Sequence, residues 1–178
     1  MTTVDSLVIA ASSALILTTT GCATAPPTVA DALRPASGQT LSAEALATGV
    51  QIYECSATKD QPSRYEWVFK APEAELSSRA GRSIGKHYAG PTWEASDGSK
   101  VLGEVKGRDP GPDASAIPWL LLTAKSNTGT GIFSRVASIQ RVDTVGGIAP
   151  KTPCGRDNVN QVVRVPYKAT YYFYSIKS

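Results

Sequence analysis

The sequence predicts an all-β, mainly antiparallel single domain, a β-sandwich or barrel with one or two short helices. Two observations carry that expectation. Short stretches of alternating apolar and polar residues recur along the chain, rich in β-branched and aromatic side chains. The 15 Gly and 12 Pro fall between those stretches as turn punctuation.

Taken in order, residues 49–55 alternate through Val50, Ile52 and Tyr53, and residues 65–70 place Tyr65, Trp67 and Phe69 on one face. Residues 99–106 follow the turn signal Ser96-Asp97-Gly98. Residues 118–124 form a continuous apolar run, which predicts a central strand with Trp119 in the core. The last strand puts Val165, Tyr167, Ala169, Tyr171 and Phe173 on one side, with Lys168, Thr170, Tyr172 and Tyr174 on the other. Two segments read both ways. Residues 41–48 have helix-friendly Ala and Glu, yet Leu41, Ala43, Ala45 and Ala47 alternate. Phe133, Val136, Ile139 and Val142 recur at helical spacing, yet residues 138–144 are β-branched enough to predict a strand. Short helices are expected at 29–33 and 71–78.

The N-terminus carries a different message. Residues 7–17 are mostly apolar, the length of a signal-peptide core and too short to span a bilayer. Small residues follow, ending in Gly21-Cys22, as a lipoprotein signal peptidase requires, although Asp5 is the only charge before the apolar run. The expected organisation is a lipoprotein-type signal over 1–21, an acylated Cys22 with a Pro/Ala/Thr tether over 22–35, and one β-rich domain over 36–178. Lipidation of Cys22 leaves Cys55 and Cys154, which can pair in an oxidising compartment. Their bond closes a loop of about a hundred residues, worth about 4–5 kcal/mol in the chain-entropy account. This predicts an exported protein, in the periplasm or cell envelope, held to a membrane by its lipid.

Composition narrows the partners. The 18 Lys and Arg against 15 Asp and Glu give a net charge of +3, and the basic residues are scattered, so no nucleic-acid footprint is expected. No segment after the signal is long and apolar enough to cross a membrane as a helix.

At residues 84–99 the chain reads IGKHYAGPTWEASDGS; with GVQIYEC at 49–55, IPWLLL at 117–122 and IQRVDTVGG at 139–147, it resembles the uncharacterised domain-of-unknown-function family numbered 3455. The resemblance runs from about Ala36 to Ser175. It implies a single exported domain of a kind found in bacteria and fungi. The family brings no established activity, so it carries no catalytic residues over.

The chemistry-bearing residues are few. His87 is the only histidine, which excludes multi-histidine metal sites; no metal and no cofactor is expected. A site pairing His87 with Glu94 or Asp97 is weak beside a histidine hydrogen-bonded inside a barrel. Glu94, next to Trp93, is a candidate general acid, but a glycosidase needs a second, facing carboxylate. Arg141, inside an apolar strand, is its expected ion-pair partner. No G-x-S-x-G elbow or phosphate loop is present. Trp93, Trp119, Tyr88 and Tyr53 could offer a sugar-stacking face. The candidate ligand-binding set is therefore His87, Tyr88, Trp93, Glu94 and Arg141, expected to cluster. The expected role is a non-catalytic envelope lipoprotein binding a carbohydrate or small molecule. The alternatives are a hydrolase using Glu94 or His87, and a structural or stress-related envelope protein.

Overall fold

The computed structural model describes residues 25–177; the expected signal and Cys22 lie outside them. Eight antiparallel strands follow one another around a closed barrel: β1 (Gln39–Ala57), β2 (Tyr65–Ser77), β3 (Ser83–Tyr88), β4 (Thr92–Ala95), β5 (Lys100–Asp109), β6 (Trp119–Thr128), β7 (Val136–Gly146) and β8 (Val162–Ile176). β1 pairs with both β2 and β8, which closes the ring. Among the described residues the helical content is two 3₁₀ turns, Asp31–Leu33 and Arg156–Asn158.

The ambiguous alanines of β1 have a packing reason. Ala43, Ala45, Ala47 and Gly49 lie in register with Phe173, Tyr171, Ala169 and Tyr167 of β8. Small inward residues on one strand make room for large ones on the next, so alternation overrides the helix propensity of Ala. The expected helix at 71–78 is corrected for the same reason: it is the second half of β2. Ala74 and Leu76 turn into the core, while Glu73 and Glu75 face solvent and Glu73 pairs with Arg164 of β8. Residues 138–144 fall within a strand, β7, as expected.

The run at 118–124 is also corrected. β6 alternates rather than being buried throughout: Leu120 and Leu122 join the core, whereas Trp119 and Leu121 are half-buried on the outer wall. There the N-terminal segment covers them in part. Leu33 is fully buried, and Val29 and Trp119 pack against an outer cluster of Val142, Tyr172 and Tyr174. Gln140 fixes this strap, donating Nε2–H to the Leu33 carbonyl at 2.7 Å and accepting from the Tyr174 hydroxyl at 2.6 Å. The end of the expected tether is thus part of the packed domain.

The two ends of the barrel differ. At one end Phe133, fully buried, lies over Phe173 with ring centroids 4.4 Å apart. The buried Ser99 Oγ accepts from the Phe133 amide at 3.0 Å and donates to Asp97 at 2.6 Å, while Asp97 also accepts from the Ile132 amide at 2.9 Å. This end is plugged. At the other end the β7–β8 connection is held to β1 by the Cys55–Cys154 disulfide, with Cα atoms 5.7 Å apart across 99 residues of sequence. Tyr53 and Trp67 add bonds to the Gly147 and Thr152 carbonyls at 2.7 and 3.0 Å. This end leads into a cavity.

Candidate functional site

β3 and β4 form a hairpin in which His87 and Trp93 are direct cross-strand partners, so both point to the same face. That face is the barrel interior. Their rings stack with centroids 4.4 Å apart, and Tyr171 of β8 meets both edge-on at 5.1 and 5.3 Å. Room for the indole comes from β5, where Gly103 has no side chain: a Cβ there falls 2.9 Å from the Trp93 ring. His87 Nδ1 lies 2.8 Å from the Thr92 carbonyl, an acceptor, so Nδ1 carries the proton. Burial pushes the His87 pKa down to about 3, and the nearby Arg141 charge pushes the same way. The imidazole is neutral at ordinary pH.

Arg141 lies in register with Leu120 of β6 and Tyr171 of β8, both inward residues, and so enters the interior from β7. Its Nη2 and Nε donate to the Pro118 carbonyl at 2.7 and 3.2 Å. Among the described residues it forms no ion pair.

These side chains border a cavity of about 470 Å³, within the range of small-molecule sites. Gln51, His87, Trp93, Arg141 and Tyr171 give it polar character; Val105, Ile117, Leu120 and Leu122 give it apolar walls. Phe69, Lys70 and Arg108 stand at its exposed rim. No Asp, Glu, Ser, Thr or Cys is among its lining residues. Three buried polar atoms of these lining residues have no hydrogen-bond partner among the described residues: Gln51 Nε2, Trp93 Nε1 and the Tyr171 hydroxyl. Burial raises the Tyr171 pKa, so that hydroxyl keeps its proton. Unsatisfied buried polar groups are uncommon, and these three belong to residues that border one cavity.

The structure therefore divides the expected cluster. His87, Trp93 and Arg141 meet at the cavity. Tyr88 and Glu94 alternate out to the external face, where the Tyr88 hydroxyl donates to Glu94 at 2.8 Å and Lys100 and Lys86 approach it at 3.3 and 3.8 Å. The Tyr88 hydrogen bond first, then the lysines, hold the Glu94 carboxyl below its usual range. The expected Glu94–Arg141 ion pair is corrected: strand alternation puts the two side chains on opposite sides of the wall. Asp97 stands at the plugged end, away from His87, as a loop latch. The aromatic strip does not form either. Tyr53 and Trp93 turn inward, and Tyr88 and Trp119 lie outside. Among the described residues no three of His, Cys, Asp and Glu gather as a metal site.

Gln51 and Tyr171 escaped the sequence reading as site residues. The signal was the phase of β1: Ala45, Ala47, Gly49, Gln51, Tyr53 and Cys55 share one face, so the inward residue between Val50 and Ile52 is a polar one.

Residues 35–175 match the family described as protein of unknown function DUF3455. The chain belongs to that family. No curated protein and no solved structure matches it. That description names no activity.

Proposed function

We propose that this DUF3455 member is an exported, lipid-anchored envelope protein whose barrel binds one small, largely apolar molecule through its open end, without catalysis. The observation that carries the reading is the cavity of about 470 Å³, whose apolar Val105, Ile117, Leu120 and Leu122 face the polar Gln51, His87 and Arg141. An eight-stranded barrel has an interior of the size that holds one small ligand. The signal pattern ending at Cys22 supports export, and a disulfide suits an oxidising compartment. Hydrolysis draws no support from the lining, which offers neither a carboxylate nor an aliphatic hydroxyl or thiol nucleophile.

The test is titration of the purified full chain with the neutral fluorophore N-phenyl-1-naphthylamine. One equivalent is expected to bind with enhanced emission. Val105→Trp, which fills the cavity from a half-buried position, is expected to weaken binding by at least about tenfold. Absence of saturable binding, or equal binding by Val105→Trp, sinks the reading. Fractionation tests the anchor: the wild type is expected with membranes and Cys22→Ser in the soluble or unprocessed fraction.

A further inference from the structure

We infer that the molecule held in the cavity is an amphipathic carboxylate, its head on Arg141 and its apolar body against Val105, Leu120 and Leu122. This rests on the cavity-binding reading above and adds the chemistry of the ligand.

The charge balance of the wall comes first. Arg141 brings a permanent positive charge into the interior, makes no ion pair among the described residues, and faces a lining without any carboxylate. A partly buried cation is stabilised by an anion brought to it.

The unpartnered atoms agree in sign. Gln51 Nε2 and Trp93 Nε1 are donors only, and the protonated Tyr171 hydroxyl can donate. Their residues are at most 3% exposed. These are buried atoms of residues that border the cavity, and what they lack is acceptors, not further donors.

The orientation of the guanidinium then selects the shape of the head. The Pro118 carbonyl occupies its Nε side through both Nε and Nη2. That contact holds the plane and leaves the end-on fork of Nη1 and Nη2, whose spacing matches the two oxygens of a carboxylate. An inorganic anion meets the fork but leaves the apolar wall uncovered. At the rim Arg108 is exposed and forms no ion pair among the described residues, so an anion approaching the mouth meets the same sign of charge it finds inside.

The experiment compares octanoate, octan-1-ol and acetate on the full chain by calorimetry at neutral pH. Octanoate is expected to bind at least about tenfold more tightly than octan-1-ol, the size of a charge-assisted hydrogen-bonded pair. Acetate is expected to leave octanoate binding unchanged at matched concentration. Arg141→Met is expected to abolish the preference and keep octan-1-ol affinity within about twofold. Because Arg141 also holds Pro118, Tyr171→Phe serves as the second variant: it leaves that contact intact and should cost octanoate about fivefold with octan-1-ol unchanged. Equal affinity for octanoate and octan-1-ol overturns the inference and leaves the cavity reading standing, whereas failure of every probe, N-phenyl-1-naphthylamine included, removes the cavity reading. Acetate competing as well as octanoate overturns the amphipathic part. A preference that survives in both variants overturns the placement on Arg141.

Discussion

The two ends of the barrel are made by the same eight strands and are finished by different means. At the plugged end Phe133 packs on Phe173 and fills the interior, and the backbone beside it is latched by Ser99 and Asp97 over a few residues of chain. At the open end the interior holds rings and polar groups around a void, and the chain above it is tied by a cystine and by hydrogen bonds to the Gly147 and Thr152 carbonyls. At the plugged end packing alone closes the interior. Where a void is kept, dispersion contacts are forgone, and the surrounding chain is fixed from outside the cavity instead.

That contrast can be tested end by end. Replacing both Cys55 and Cys154 with Ser is expected to cost about 4–5 kcal/mol in urea unfolding, since the loop spans 99 residues. A loss below about 1 kcal/mol breaks the idea that the open end depends on its covalent tie. Phe133→Ala is expected to cost about 3–4 kcal/mol by the same measurement, the size of a buried aromatic truncation. It should leave N-phenyl-1-naphthylamine binding at the other end within about twofold.

The ends should also respond to acid in different ranges. His87, on the cavity wall, has its pKa lowered from 6.5 to about 3, so the unfolded chain takes up a proton that the folded one refuses. Its contribution is complete above the unfolded value and is lost as pH falls toward the folded value, about 2 kcal/mol between pH 7 and pH 5. His87 is the only histidine, and His87→Gln should flatten that slope in pH-dependent unfolding. A slope unchanged in the variant places the titrating group elsewhere. At the plugged end Asp97 is held below its usual range by hydrogen bonds from Ser99 and the Ile132 amide, so its contribution is present above the ordinary carboxylate range and is lost only in stronger acid. The smallest effect is Ser99→Ala, about 1–2 kcal/mol, because it leaves the buried Phe133 amide without its acceptor. Faster hydrogen exchange at that amide, with the open end unchanged, is the expected signature.

Most of the barrel was legible because its strands obey a period of two. The β8 alternation put Tyr167, Ala169, Tyr171 and Phe173 on one side, which proves to be the core side, and cysteine parity identified the bond the structure contains. The misreadings share a cause. The Ala and Glu of 71–78 suggested a helix, and the apolar run at 118–124 a strand buried on both sides, because a local window does not show what lies across the sheet. The N-terminal strap conceals part of the outer wall, so Tyr172 and Tyr174 are buried on what alternation makes an external face. For the site, the motif around His87 and Trp93 was visible, but its neighbour Glu94 was grouped with them by proximity in sequence. One step along a strand is a change of side. Gln51 and Tyr171 reach the cavity only through register with distant strands.

The strap has a geometric consequence. Between Val29 and Gln39 the chain runs along the outer wall, from the cluster of Val142, Tyr172 and Tyr174 to the start of β1 at the plugged end. Under the proposed acylation of Cys22, the leash up to Val29 is about 25 Å at full extension. A leash of that length is about the size of the barrel itself, so the proposed anchor keeps the cavity within one protein diameter of the bilayer, the place where amphipathic molecules concentrate.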